Sequence, residues 1–137
     1  MYEPIRTKSV HTLADRSTQD VPGRSREEEL DIRLAGHLTA LLTVTDELRV
    51  ATPDASLDAA ACELAAHAAR LSGGRAPLRA VPSAVRPGAT HVASLHARAR
   101  ALAGNALSVA LSRGDEEAAA LAEARMTAHE AAAPVPA

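Results

Sequence analysis

The sequence predicts an all-α protein, a four-helix bundle made of two helical hairpins joined by a Pro-rich crossover. Apolar residues recur at alternating steps of three and four through four segments, which is the period of one face of an α-helix. Proline and glycine stand at the ends of those segments and punctuate them. The 137 residues include no Phe, no Trp and one Tyr. The apolar set is therefore Leu, Val and Ala, and the abundance of Ala favours helices that approach closely.

Three regions follow from composition along the chain. Residues 1–24 are polar and are interrupted by Pro4 and by Pro22-Gly23, which predicts an extended or disordered N-terminal arm. A segment that becomes ordered on a partner is the alternative for this arm. Residues 25–133 are predicted to form a single bundle domain, and residues 134–137 a C-terminal tail.

The first hairpin is predicted to start with a helix from about residue 26 to residue 51. Ser25 and Glu28 have the spacing of a capping box. The expected packing seam, widened by Leu38, Leu42 and Ile32, consists of Leu30, Leu34, His37, Leu41, Val44 and Leu48. Such a broad apolar face needs more than one neighbouring helix to cover it. Thr52 is the expected cap of a second helix that opens on Pro53 and ends near residue 71, before Gly73-Gly74.

Residues 72–88 contain Pro77, Pro82 and Pro87, which exclude an ordinary helix. The interval is long for a connection inside a compact domain. We interpret it as a crossover that spans the bundle, and a functional loop is the alternative.

The second hairpin is predicted to consist of helices over residues 89–113 and over residues 115–132. The expected seam of the first of these helices is Val92, Leu95, Ala99, Leu102, Ala106 and Val109. Gly114 ends that helix and Asp115 caps the next. Because the fourth helix is rich in Ala, it offers little bulk to cover its neighbours, and a homodimer is a reasonable prediction.

Charge and composition exclude several classes of function. The formal net charge is −2 and aromatic residues are almost absent, so neither the basic excess nor the stacking platforms of a nucleic-acid binder are present. The chain opens without the apolar region of a secretory signal and contains no apolar run of bilayer-spanning length. Cys62 is the only cysteine, which excludes an internal disulfide. These features predict a cytoplasmic protein without a membrane partner, and the preference for Arg over Lys is typical of a GC-rich bacterial genome.

Charges are segregated along the chain, because no acidic residue lies between Glu63 and Asp115. One explanation is that the basic interval packs beside acidic helices and is neutralised internally. The other is a cationic face that binds a small anion, since the planar guanidinium of Arg can bind phosphate or carboxylate through two hydrogen bonds. The second explanation predicts a ligand-binding site made of Arg75, Arg79, Arg86, His91, Arg98 and Asn105.

Polar residues also recur at every seventh position of the third predicted helix. They are His91, Arg98, Asn105 and Ser112. This stripe either lines a cleft or forms the solvated face of an amphipathic helix.

The histidines and the single cysteine are the candidate metal ligands and catalytic groups of this sequence. His37 lies in the predicted seam of the first helix, and His96 and His129 can reach the same interior. Glu63 and His67 are one residue too far apart for the Glu-x-x-His motif of di-iron bundles. Cys62 lies among Ala and Leu, which favours a buried thiol. We therefore predict no metal site, no cofactor and no catalytic residues.

Three functional hypotheses remain open. The first is a small non-catalytic interaction or regulatory protein that docks another protein or a second copy of itself, and it predicts a large exposed apolar patch. The second is a binding module for a small anionic ligand, and it predicts a concave site where basic side chains converge. The third is a metal protein or an enzyme that uses His37, His67 or Cys62. The sequence indicates no reaction type.

Overall fold

The structure is a computed structural model that describes residues 23–82 and 88–132, and within those ranges every regular element is an α-helix. The four helices, as observed, are α1 (Arg26–Ala51), α2 (Ala55–Arg70), α3 (Ala89–Arg113) and α4 (Glu116–Ala132). The predicted four-helix bundle is confirmed. Most of the predicted N-terminal arm and the whole predicted tail over residues 134–137 lie outside the described residues.

The helices form a bundle in which α1 packs against α2 and α3, and α4 packs mainly against α3. Helices α2 and α4 meet over a small area, while no Cα atoms of the diagonal pairs α1–α4 and α2–α3 lie within 8 Å of each other. One end of the bundle brings together the C-terminal turns of α1 and α4 and the N-terminal turns of α2 and α3. The chain between α2 and α3 therefore runs the length of the bundle, as predicted for a crossover.

The connection between α1 and α2 differs from the prediction in its details. Ser25 and Glu28 form the expected capping box at the start of α1. Thr52, however, is the C-cap of α1, and the backbone N–H of Thr52 donates to the carbonyl of Leu48. Asp54 is the N-cap of α2 and accepts from the backbone N–H of Ser56 at 2.8 Å. A carboxylate two residues further on thus replaces Thr52 as the cap.

Helix α1 provides most of the leucine core. Its fully buried leucines are Leu34, Leu38, Leu41, Leu42 and Leu48. They point toward both α2 and α3, which confirms that the broad face needs two neighbours. Two residues predicted on this apolar face are not buried in it: Ile32 is largely exposed and His37 is only half-buried.

Helix α3 packs mainly through alanine, and its first turns also bury Leu95 and His96. Its fully buried positions are Ala99, Ala103, Ala106 and Ala110. The predicted seam members Val92, Leu102 and Val109 are instead half-buried and flank this stripe. The seam prediction is confirmed for Leu95, Ala99 and Ala106, which are buried, and wrong for Val92, Leu102 and Val109. Small side chains allow the helix axes to approach, which places alanine at the line of closest contact.

Helix α4 has an inward face whose chemistry changes along its length. Gly114 adopts a left-handed conformation (φ 76°) at the end of α3, and the Asp115 carboxylate then accepts from the backbone N–H of Ala118 at 3.1 Å. The buried positions of α4 are Ala118, Leu121, Ala122, Arg125 and His129. The face therefore begins apolar and ends in two basic side chains.

None of the described helices is both long enough and apolar enough to cross a membrane.

Candidate functional site

A cavity of about 590 Å³ opens at the end of the bundle where α2 and α3 begin and where α1 and α4 end. It is lined by Ala51, Thr52, Asp54, Ser56, Leu57, Ala89, Val92, Ala93, His96, Arg125, Ala128, His129 and Ala132. Its size is within the range of small-molecule sites, and its walls are mostly aliphatic. Three basic side chains from α3 and α4 are its main polar feature.

Arg125 is the central group of this cavity. The residue is 8% exposed, although it carries a permanent positive charge. Its Nε atom is buried and has no hydrogen-bond acceptor among the described residues. No carboxylate within residues 23–82 and 88–132 forms an ion pair with it. A buried charge without a counter-charge is unfavourable, so this residue is the strongest indication of a ligand.

Two histidines extend from Arg125 as a hydrogen-bonded chain. The distance from Arg125 Nη2 to His129 Nε2 is 3.3 Å, and that from His129 Nδ1 to His96 Nδ1 is 3.0 Å. Arginine only donates, so Nε2 of His129 accepts, and the proton of that ring lies on Nδ1. Nδ1 of His129 then donates to Nδ1 of His96, and the proton of His96 lies on Nε2. Both rings are neutral in this arrangement, and the N–H at Nε2 of His96 has no partner among the described side chains.

The electrostatic environment keeps these rings neutral. Burial, together with the charge of Arg125 and the neighbouring His96, lowers the pKa of His129 to about 4. Burial and the charge of Arg125 also lower the pKa of His96. Burial lowers the pKa of Arg125 as well, and the charge of Glu63 on α2 opposes that shift. Among the described residues that line the cavity, Arg125 is therefore the one permanent positive charge.

Helix ends contribute hydrogen-bond donors at the mouth of the cavity. Helix α3 begins at Gly88 without a side-chain cap, and its first turn carries no acidic residue. The first backbone N–H groups of a helix have no partner within the helix. The N-terminus of α2, in contrast, is capped by Asp54, whose carboxylate lines the same cavity. Two helix N-termini and two C-termini meet at this end, so their dipoles largely offset one another.

Metal ligation was tested against the described residues. Within residues 23–82 and 88–132, no three His, Cys, Asp or Glu side chains are grouped so as to hold a metal ion. His96 and His129 provide two nitrogens only, and Arg125 next to them places a positive charge where a cation would have to bind. The donor set fits an anion better than it fits a metal.

The structure separates most of the site residues predicted from the sequence. Arg79 binds Asp46, and Arg75 donates to the carbonyl of Ser72 in another cleft. His91, Arg98 and Asn105 are exposed on the outer face of α3. Arg86 lies outside the described residues. The described members of the set therefore do not line the cavity, and the polar stripe of α3 faces solvent.

Ion pairs account for much of the basic interval. Arg70 pairs with Asp115 at 3.0 Å and Arg113 with Asp31 at 2.9 Å. The pair between Arg79 and Asp46 measures 2.8 Å. Arg100 lies 3.9 Å from Glu130. These pairs match the explanation in which the interval is neutralised by the acidic helices.

The remaining candidates from the sequence are scattered. His67 contacts Arg70 at 2.8 Å, away from the cavity, and His37 is half-buried on α1. Cys62 is exposed, so the prediction of a buried thiol was wrong. The structure does not place these three residues together as a catalytic group. His96 and His129, by contrast, do meet in the interior as the sequence suggested.

Arg125 was missed in the sequence because charged residues are normally assigned to the solvated face of a helix. A signal was nevertheless present. Arg125 follows Leu121 by four residues and precedes His129 by four, so it continues the inward stripe of α4. An arginine in register with an apolar stripe, one turn before a histidine, indicates a buried polar site.

The comparisons with known proteins add no functional information. No protein-family model matches the sequence, and searches of curated proteins and of solved structures return no match. The function of this helical bundle must therefore be argued from the cavity itself.

Proposed function

We propose that this protein is a binding module for a small anionic ligand, which it holds in the cavity around Arg125. The observation that carries the proposal is the buried guanidinium, with which no carboxylate of the described ranges forms an ion pair. The two half-buried arginines of the described ranges, Arg49 and Arg113, each form an ion pair with an Asp. An anionic ligand would supply the missing counter-charge.

The cavity also has the composition of a binding site. Aliphatic walls surround a few convergent donors, which is the usual arrangement in small-molecule sites. Arg125 provides the charge, and the N–H at Nε2 of His96 provides a second donor. The chain from Arg125 through His129 to His96 fixes the orientation of both rings. Fixed donors reduce the entropy lost when a ligand binds.

The arrangement supports binding rather than catalysis. The acceptor nitrogens of His129 and His96 are both occupied by hydrogen bonds, so neither ring is free to act as a general base. Cys62, the one candidate nucleophile of the thiol type, is exposed on α2 and does not line the cavity.

Thermal unfolding in the presence of anions tests the proposal. Sodium benzoate, hexanoate, sulfate and phosphate would be compared with sodium chloride at equal ionic strength. A ligand that binds only the folded state raises the free energy of unfolding by about 2.7 kcal/mol at 100 times its Kd. At least one anion of the panel is expected to give a saturable increase in Tm.

Variants assign that increase to the cavity. Arg125→Met removes the buried charge and should abolish the response, whereas Arg98→Met removes an exposed charge of the same kind on α3 and should preserve it. An increase in Tm that persists in Arg125→Met, or the absence of any saturable response, would contradict the proposal.

A protein partner or a homodimer remains a prediction from the sequence, as does a cytoplasmic location. Within the described ranges, the large exposed apolar residues are Ile32, Val50, Leu78, Val81 and Leu111. Val50 and Val81 line one cleft and Ile32 lines another, so these residues are not gathered in a single cleft. Molar mass in solution, measured by light scattering over a range of protein concentrations, distinguishes a monomer from a dimer.

A further inference from the structure

We propose that the ligand of this cavity is a monocarboxylate with a compact apolar body, and this inference rests on the proposed function. Three properties of the site select this class among small anions: its net charge, the chemistry of its walls and the acidic group at its mouth.

The charge of the site fits a single negative charge. Arg125 is its one permanent cation, and the direction of the hydrogen bonds from Arg125 to His129 and from His129 to His96 requires both rings to be neutral. The guanidinium and the N–H at Nε2 of His96 are then the donors available to a ligand. Two oxygens of one carboxylate match this donor set, since arginine binds carboxylates through two parallel hydrogen bonds.

The walls fit an apolar body. Leu57 of α2, Val92 and Ala93 of α3, and Ala128 of α4 line the cavity beside the basic side chains. Each buried methylene of a ligand contributes about 0.8 kcal/mol when it leaves water for such a surface. A cavity of about 590 Å³ accommodates a short aliphatic or alicyclic chain in addition to the carboxylate.

The mouth disfavours a second negative charge. Asp54 lines the cavity, and its carboxylate is held at the N-terminus of α2 by hydrogen bonds from the backbone N–H and the hydroxyl of Ser56, both at 2.8 Å. Because those bonds stabilise the ionised carboxylate, Asp54 stays negative at neutral pH. A phosphate monoester would meet this like charge and would bring a second charge that Arg125 alone does not balance.

Titration calorimetry with three probes that share one alkyl chain tests the inference. Hexanoate is a monoanion, hexyl phosphate is a dianion near neutral pH, and hexanamide is a neutral isostere of hexanoate. Hexanoate is expected to bind at least about tenfold more tightly than hexanamide, which corresponds to about 1.4 kcal/mol. Hexanoate should also bind more tightly than hexyl phosphate, and acetate should bind more weakly than hexanoate because it lacks the chain.

Asp54→Asn separates the effect of the mouth from that of Arg125. Asparagine is as good an N-cap as aspartate, so α2 should be preserved. In this variant, the affinity for hexyl phosphate relative to hexanoate should rise, whereas Arg125→Met should lose both. The site should be titrated to about 10 mM probe, where binding of millimolar affinity is nearly complete.

Two results would overturn different statements. If hexyl phosphate or phosphate binds more tightly than hexanoate, and Arg125→Met loses that binding, the monocarboxylate inference is wrong while the anion-binding function stands. If none of the charged probes binds in an Arg125-dependent way, the proposed function itself fails.

Discussion

Two buried charges in this bundle are treated in opposite ways. Asp46 near the end of α1 is buried and accepts from Nε of Arg79 at 3.1 Å and from Nη2 of Arg79 at 2.8 Å. Arg49 adds a third hydrogen bond at 3.1 Å. Arg125 on α4 is as deeply buried and has two neutral imidazoles beside it, but no carboxylate of residues 23–82 or 88–132 forms an ion pair with it. The charge of Asp46 is balanced by hydrogen-bonded arginines, whereas no carboxylate of the described ranges pairs with Arg125.

We propose that the compensated cluster of Asp46, Arg79 and Arg49 serves the fold and that the uncompensated cluster of Arg125, His129 and His96 serves binding. Burial acts to raise the pKa of Asp46, but hydrogen bonds from Arg79 and Arg49 outweigh it and hold that pKa below its ordinary value. The pair also attaches the crossover to α1, since Arg79 lies in the crossover. Around Arg125, in contrast, burial and the charge of Arg125 lower the pKa of both His96 and His129, which disfavours the charged form of each ring. In our proposal, the Asp46 network, which stabilises its own charge, serves the fold, whereas the charge of Arg125, which no described carboxylate pairs with, binds the ligand.

The largest expected difference between the clusters appears in acid. His129 has a pKa of about 4 in the folded protein against 6.5 for an ordinary histidine, so the unfolded chain binds the proton more readily. The contribution of neutral His129 to the free energy of unfolding is complete above pH 6.5 and is lost as the pH falls toward 4, because the unfolded chain then binds a proton that the folded protein does not. The loss should reach roughly 3 kcal/mol at pH 4, at 1.36 kcal/mol per unit of pKa shift. Urea unfolding between pH 7 and pH 4 measures it.

Glutamine at position 129 is the control for this effect, because its carbonyl still accepts from Arg125 but does not titrate. The loss of stability between pH 6.5 and pH 4 should be smaller in His129→Gln by about the contribution of one histidine. Asp46 does not interfere in this window, since its lowered pKa makes its contribution disappear only below the ordinary value of 3.8. If the free energy of unfolding of His129→Gln fell between pH 7 and pH 4 as much as that of the unchanged protein, His129 would not be the cause of the acid destabilisation.

The second prediction concerns the compensated cluster. Arg79→Ala leaves Asp46 buried with Arg49 as its remaining partner. The free energy of unfolding should fall by about 1–2 kcal/mol, less than for a fully buried pair, because the Arg79 side chain is 41% exposed and partly screened by solvent. Urea unfolding measures the loss. In Arg79→Ala, anion binding at the Arg125 cavity should be unchanged, and its loss would show that the two clusters are coupled.

The third prediction concerns Arg125, the buried charge of the uncompensated cluster. Arg125→Met replaces a buried charge by an apolar side chain of similar length, and it should reduce the stability of the ligand-free protein by no more than about 1 kcal/mol. Removal of the charge should also raise the pKa of His129, since the charge of Arg125 is one cause of its depression. An NMR titration of the imidazole resonances measures that pKa. A loss of several kcal/mol would mean that Arg125 serves the fold rather than a ligand.

The fold was largely predictable because periodicity and punctuation act locally. The capping box of Ser25 and Glu28, the left-handed Gly114 and the Asp115 cap each fix a helix end through a few neighbouring residues. The line of closest contact on α3 was less predictable, because Ala103 and Ala110 become buried only when another helix approaches. Burial of an alanine is a property of the packed pair and not of its own sequence.

The cavity was only half predictable for a related reason. His96 and His129 were expected to share an interior, and they do. The charge-segregated interval predicted a site that includes Arg75 and Arg98, whereas the buried arginine of the described residues is Arg125. Arg125 lies in α4, where neighbouring acidic residues offset its charge when the net charge is summed along the sequence. Net charge along a sequence reports solvated surfaces well. A single inward arginine is visible only through its register on the helix.

The smallest expected effect belongs to an arginine in neither cluster. Arg98 is exposed on α3, and no ion pair of Arg98 occurs within the described part of the chain. Arg98→Met should change the free energy of unfolding by less than about 0.5 kcal/mol, since surface substitutions away from buried networks are usually within that range. It should leave the acid profile and anion binding unchanged, as urea unfolding and calorimetry would show. If Arg98→Met instead weakened hexanoate binding as much as Arg125→Met does, the ligand would lie on the outer face of α3, and the contrast between a compensated and an uncompensated buried charge would lose its functional meaning.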